Sequence, residues 1–256
     1  MGCKEIVKVR DLTIGEGIPK ICMPIIGKTR KDILHEAYGA LKAPVDIVEW
    51  RADWYEDVSS FEKVGEVLKE LRRVLNELPI LFTFRTSREG GQKEIDARAY
   101  IELIRAVIKT DIVDLVDIEL FMGDRMVEGI VCEAHKRNVK VIASNHDFEK
   151  TPEKEELITR LCKMQELNAD ILKIAVMPQN KKDVLTLLCA TEEMVSRYAD
   201  RPVVTISMGA EGFISRVCGE TFGSAITFGT VQKASAPGQI PVEELSQTLK
   251  LLHKYM

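Results

Sequence analysis

A lysine stands in the middle of 170-DILKIAVMP-178, a run that otherwise reads as a buried β-strand ending at a proline. Burying an ammonium without a partner is costly or drives off its proton, so a chain that keeps Lys173 there is expected to use it. A primary amine without its proton attacks a carbonyl carbon and forms a protonated imine, an electron sink that loosens a proton on the adjacent carbon. Near neutral pH this requires lowering the amine from its ordinary pKa of about 10.4 to about 7 or 8. His146, in 144-SNHDF-148, supplies an imidazole just past the preceding predicted strand, where it can take and return protons.

Other charged residues fall on the same side as Lys173. Side chains alternate across a strand. Leu172, Ile174 and Val176 form the bulky parity suited to helix packing, which leaves Lys173 with Ile171 and Ala175 on the other face. The same test groups Glu49 with Arg51 in 45-VDIVEWR-51, Thr83 with Arg85 in 79-PILFTFR-85, and Asp117 with Glu119 in 113-VDLVDIE-119. So many interior charges are expensive as mere structure, and the coincidence across several strands points to a site.

Three loops add to it. In 85-RTSREGG-91, Glu89 offers a carboxylate beside a Gly90-Gly91 hinge or turn. The segment 207-SMGAEGFISRV-217 offers either glycines that cradle a phosphate or Arg216 as a bidentate carboxylate grip. The long stretch 230-TVQKASAPGQIPVEEL-245 resembles a lid, with Ser235 and Gln239 as uncharged hydrogen-bonding groups.

The elements that must carry these residues alternate. Strand candidates lie at 21–26, 45–51, 79–85, 113–119, 139–144, 170–176, 202–207 and 224–229. Between them run amphipathic stripes such as Tyr100, Leu103, Ile104, Val107 and Ile108, or Val184, Leu187, Leu188, Met194 and Val195. Asn76, Asn138 and Asn168 fall near helix ends, and Pro152 after Thr151 suggests a helix start. Strict alternation predicts a parallel sheet, and eight units predict an α/β (β/α)8 TIM barrel as a single domain over residues 1–256. A β-hairpin within 6–15, turning near Arg10-Asp11, is expected to close the bottom of that barrel. An open doubly wound sheet is the alternative, but no G-x-G-x-x-G follows the first strand. In the barrel, the inward charges lie toward the carboxyl ends of their strands, where barrel enzymes carry their active sites.

Composition narrows the function further. Over 256 residues, 45% hydrophobic and 30% charged content is that of an ordinary soluble protein, and the longest apolar runs are strand-sized. The opening MGCKEIVKVR lacks the apolar core of a signal peptide, so a cytoplasmic protein that does not engage membranes is expected. A net charge of −4 with scattered basic residues argues against nucleic acid as a partner. The cysteines at 3, 22, 132, 162, 189 and 218 form no C-x-x-C pair and are expected to be buried thiols. His35, His135 and His253 sit in helical segments as surface or packing residues, so no metal site is expected. These residues alone still admit an imine-forming class I aldolase, or a barrel that binds without turnover.

Six motifs occur in order on these strands: EWRAD, TFRTSREGG, SNHDF, KIAVMP, SMGAEGFISR and FGTVQKASAPGQI. Together they resemble the type I 3-dehydroquinate dehydratases, over essentially the whole chain from Ile21 onward. The resemblance implies the third step of the shikimate pathway, loss of water from 3-dehydroquinate to give 3-dehydroshikimate by syn elimination through an imine on Lys173. It implies that His146 moves the C2 proton, helps form and hydrolyse the imine and protonates the departing hydroxyl, assisted by Glu89. It assigns Glu49, Arg51 and Arg85 to the ring hydroxyls and pocket shape, and Met208 to a pocket wall. Arg216, Ser235 and Gln239 would grip the substrate carboxylate and close the lid. A homodimer without metal or organic cofactor is also implied.

Overall fold

Strand and helix alternate along the chain as the periodicity predicts, and the strands curl into a barrel. A computed structural model describes residues 5–231 and 234–256. The parts of the opening and of the lid segment at 1–4 and 232–233, Cys3 included, lie outside the described residues. Two short strands, β1 (Val7–Val9) and β2 (Leu12–Ile14), pair antiparallel with Val7 opposite Ile14. Their turn holds Arg10 at φ 52°, a left-handed conformation that disfavours a side chain. Ion pairs from Arg10 to Asp114 at 2.7 Å and Glu77 at 2.5 Å hold it there.

Eight parallel strands follow: β3 (Lys20–Ile25), β4 (Ile47–Arg51), β5 (Ile80–Thr83), β6 (Leu115–Glu119), β7 (Lys140–Asp147), β8 (Ile171–Val176), β9 (Val203–Ser207) and β10 (Ile226–Phe228). Neighbours in sequence pair from β3 to β9, and β10 pairs back onto β3. The join between β9 and β10 is thinner. There Ala225 N–H donates to Val203 O at 2.8 Å, and the Ser224 hydroxyl stands in for a backbone carbonyl by accepting Thr205 N–H at 3.0 Å.

Around the barrel run α1 (Arg30–Ala40), α2 (Phe61–Leu75), α3 (Ala97–Ile108), α4 (Asp124–His135), α5 (Lys154–Glu166), α6 (Lys181–Glu193), the short α7 (Phe213–Val217) and α8 (Gly219–Phe222), and α9 (Val242–His253). Among the described residues no helix is long and apolar enough to cross a membrane. The predicted stripe of α3 is buried, and Asn76, Asn138 and Asn168 take positive φ values of 50°, 57° and 61° just beyond helices.

Strand parity divides the apolar residues into two bodies. Val48, Trp50, Ile80, Phe82 and Phe84 pack outward against the helices. Cys22, Ile47, Leu81, Leu115, Ile142 and Ile171 point inward, where Val7, Val9 and Ile14 of the hairpin cover them and close the bottom. A recurring aspartate secures that end. Asp46, Asp114 and Asp170, each just before an even-numbered strand, accept the N–H of Ile21, Ile80 and Val141 at 2.7, 2.8 and 2.8 Å. Each also donates its own N–H to the carbonyl of that same neighbour. Every preceding strand is thus fastened at its first turn of ladder by one carboxylate.

Three local expectations are corrected. β7 runs on to Asp147, so His146 lies on the strand rather than past it. Helix α5 begins at Lys154, leaving Pro152 outside its first turn. Cys132 and Cys189 are exposed because they fall on the solvent faces of α4 and α6, whereas Cys22 and Cys218 are buried. His135 and His253 are engaged by Asp170 and Glu220 at 2.8 and 2.7 Å.

Candidate active site

Lys173 projects from the middle of β8 into the barrel and is only 4% exposed. Its Nζ donates to Asp117 Oδ2 at 3.1 Å, lies 3.9 Å from Glu49 Oε1, and sits 4.6 Å from the centre of the Phe228 ring. Asp117 on β6 also accepts from Arg85 Nη2 at 2.7 Å and from the Ser144 hydroxyl at 2.5 Å. Burial alone would raise this carboxyl, but Arg85 and Lys173 outweigh it and hold Asp117 ionised, well below the usual carboxylate range. Arg85, just beyond β5, reaches Glu119 at 2.9 Å and Glu89 at 3.5 Å, and Glu119 is saturated by the N–H and hydroxyl of Thr86. The interior charges therefore satisfy one another, as buried ions must.

Arg51 at the end of β4 is clamped through Nε and Nη2 by Asp53 at 2.7 and 2.9 Å. Asp53 in turn accepts the backbone N–H groups of Arg85 and Gln92, tying the loop after β5 to the same anchor. Glu49 is fixed by the Thr83 hydroxyl at 2.8 Å. Gly91 is required in that loop because a Cβ there would lie 1.8 Å from Arg85 O.

His146 and Glu89 form a pair. Glu89 Oε2 lies 3.0 Å from His146 Nδ1 and accepts the His146 backbone N–H at 2.9 Å, while Oε1 accepts from Asn145 at 3.2 Å. Burial, with the charges of Glu119 and Asp117 added, pushes Glu89 up to about 8 against the pull of Arg85 and Asn145. Burial and the cations Arg85 and Lys173 push His146 well below its ordinary value, against Asp117. The imidazole is thereby kept neutral at neutral pH.

Arg216 is the exception among the interior charges. It is 1% exposed, its guanidinium donates to the carbonyls of Pro237 at 2.7 Å and Phe228 at 3.5 Å, and no carboxylate within the described residues pairs with it. Burial lowers its pKa to about 10 with no acid to offset the loss. The Pro237 carbonyl belongs to the lid segment, where Gln239 Oε1 accepts Ser235 N–H at 2.8 Å and Gln239 Nε2 donates to the Ser235 hydroxyl at 3.1 Å. This segment docks backbone to backbone: Gly209 N–H donates to Pro237 O, and a Cβ on Gly238 would lie 2.4 Å from Gly209 O.

All ten residues to which the family resemblance gives a role line one cavity at the carboxyl ends of the strands, and it opens to solvent. Lys173, His146 and Glu89 form one wall with Arg85, Glu49 and Arg51 beside them, and Met208, Arg216, Ser235 and Gln239 form the wall toward the lid. Gly212 serves a chain crossing, since a Cβ there would lie 2.1 Å from Ser207 O. Among the described residues, no three His, Cys, Asp or Glu side chains group to hold a metal ion.

Several members of the site were not singled out from sequence. Asp53 is visible in EWRAD but carries no signal of its pairing with Arg51. Phe148 and Phe228 line the cavity, and inward parity on β10 would have found Phe228. Asp117 was grouped by parity, but its direct contact with Lys173 depends on the register across β7.

Comparison with known proteins agrees with this geometry. The family model for type I 3-dehydroquinase matches residues 21–256. The chain is 57% identical over 251 residues to the 3-dehydroquinate dehydratase of Clostridioides difficile strain 630, covering 98% of each chain. It is 54% identical over 248 residues to that of Salmonella typhimurium, covering 97% of this chain and 98% of the relative. A solved structure of the type I enzyme from Clostridium difficile with covalently modified comenic acid superposes with a TM-score of 0.97 at 56% identity, covering 99% of this chain and 100% of that one. With cavity, barrel and sequence in agreement, the chain belongs to the type I 3-dehydroquinase family.

Proposed function

We propose that the chain converts 3-dehydroquinate to 3-dehydroshikimate, the third step of the shikimate pathway, through an imine on Lys173. The observation that carries this reading is a buried amine sharing a cavity with a neutral imidazole and with a buried guanidinium that meets no anion among the described residues. A keto acid complements all three. Its carboxylate completes Arg216, its carbonyl meets Lys173, and its acidic C–H faces His146. The covalent modification of comenic acid in the Clostridium difficile relative supports a covalent route.

Lys173 Nζ, once deprotonated, adds to the C3 carbonyl, and the carbinolamine loses water to give a protonated imine. His146 takes the C2 proton, the electron pair moves into the imine as an enamine, and its return expels the C1 hydroxyl as that group is protonated by His146. Water then hydrolyses the conjugated imine, restoring the amine, so the net change is loss of one water. Glu89 holds His146 Nδ1, leaving Nε2 for the transfer. Glu49, Arg51 and Arg85 orient the ring hydroxyls from a prepaid network, Met208 walls the pocket, and Ser235 with Gln239 closes the lid over the carboxylate. The single barrel is the whole catalytic unit in this reading; a homodimer located in the cytoplasm, needing neither cofactor nor metal, accompanies it.

Borohydride reduction in the presence of 3-dehydroquinate, followed by peptide mass mapping, tests the reading. A reduced adduct on the peptide carrying Lys173 is expected. An adduct elsewhere, or none, overturns it. A solution mass equal to one chain overturns the dimer.

A further inference from the structure

The Glu89–His146 pair is held from behind by two residues that do not line the cavity. Asn145 has the opposite parity to His146 on β7, faces the helix layer and is 3% exposed. Its Oδ1 accepts from Arg160 Nη1 of α5 at 2.7 Å, and its Nδ2 donates to Glu89 Oε1 at 3.2 Å. A guanidinium can only donate, so Arg160 dictates the orientation of the amide: oxygen toward Arg160, amino group toward Glu89. The reversed amide would set its oxygen against a carboxyl oxygen and its NH2 against a cation, losing both bonds. Arg160 is itself pinned by Glu156 at 2.8 Å and by the Phe121 ring, whose centre lies 5.4 Å away.

We propose that Arg160 and Asn145 are positioning residues for the acid–base step: Arg160 sets the Asn145 amide, Asn145 sets the Glu89 carboxyl, and Glu89 sets the His146 ring. The inference rests on the roles given above to Glu89 and His146. Other charged groups face the pair from each neighbouring element: Arg85 beyond β5, Asp117 and Glu119 on β6, Lys173 on β8 and Arg51 on β4. None of them is hydrogen-bonded to Arg160, so changing Arg160 alters the Asn145 link and leaves that field in place.

The test is the pH dependence of kcat and KM with 3-dehydroquinate for Arg160→Met, Arg160→Lys, Asn145→Ala and the Arg160→Met/Asn145→Ala double variant. Arg160→Met is expected to lower kcat about 10-fold with KM within about 2-fold, because the substrate is not touched. Its acid limb moves upward by about one pH unit, since an Asn145 amide no longer held by Arg160 donates less firmly to Glu89 and favours the ionised carboxylate less. Arg160→Lys restores a donor to Asn145 Oδ1 and recovers most of both effects. The double variant is no slower than Asn145→Ala alone if the two residues act through one link.

An unshifted kcat profile in Arg160→Met, or additive losses in the double variant, overturns the proposal. Should Arg160→Met fail to fold, Arg160→Lys and Asn145→Ala carry the test: a wild-type profile in Asn145→Ala overturns it equally. His146→Ala separates the two levels. Full turnover in that variant sinks the reading of the pair itself, whereas slow turnover together with an unshifted Arg160→Met profile sinks only the positioning chain.

Discussion

Read upward along the barrel interior, β4 presents Ile47 and then Glu49 and Arg51, β6 presents Leu115 and then Asp117 and Glu119, and β8 presents Ile171 and then Lys173. Two residues, a rise of about 6.6 Å along a strand, separate an apolar floor from an ionic ceiling. The floor is packed against the hairpin and obeys the ordinary economy of burial. The ceiling assembles buried cations and carboxylates that contribute little net stability and are costly to leave unpaired. Division of labour follows: the lower half keeps the barrel closed, and the upper half can devote its charges to chemistry.

The comparison breaks most sharply at Lys173. Lys173→Ala is expected to abolish the borohydride-trapped adduct and to slow turnover by more than ~10⁴-fold. It should stay folded, because Asp117 keeps Arg85 and Ser144; loss of the cooperative melt would mean that the ceiling holds the fold. His146→Ala is expected to slow turnover about 10²–10⁴-fold while imine still forms, measured by single-turnover trapping. In the floor the pattern reverses: Ile47→Ala, at a fully buried position, loses ~2–4 kcal/mol by urea unfolding with unchanged kcat per folded molecule. A fall in kcat there would blur the division.

Arg216→Ala raises KM about 10–100-fold with a smaller change in kcat. An unaltered KM would deny it the carboxylate. The last effect is a slope with pH. Glu89 is raised in the fold from 4.5 to about 8, so the folded chain binds this proton more tightly than the unfolded chain does. Its contribution to stability is complete below about pH 4.5 and is lost as pH rises toward 8. Unfolding measured across that window should show the decline, and Glu89→Gln should flatten it.

Much of this division was legible in sequence because it depends on alternation alone. The eight strand candidates coincide with barrel strands to within a few residues at each end, and parity correctly turned Glu49, Arg51, Arg85, Asp117, His146 and Lys173 inward. Pairing was not legible. That Asp53 clamps Arg51 depends on how the chain turns just after β4, and that Asp117 rather than Glu49 is the hydrogen-bonding partner of Lys173 depends on register between strands, which no single strand encodes. Glycine roles also escaped, since Gly91, Gly212 and Gly238 answer to backbone crossings that exist only after folding. The aspartate before β4, β6 and β8 was in plain view in VDIV, VDLV and ADIL, yet its purpose shows only when the neighbouring strand's N–H is seen against it.

The fourth member of that series is Ala225, which has no carboxylate to offer, and Ser224 lends its hydroxyl there instead. The staves that meet at this splice carry, at their other ends, Met208 and the start of the segment that reaches Arg216 on one side and Phe228 with the strap over the pocket on the other. Amide hydrogens along Thr205 and Ala225 should therefore exchange with deuterium sooner than those along β6 and β7, and the hoop should loosen first on the flank through which a reactant enters and leaves.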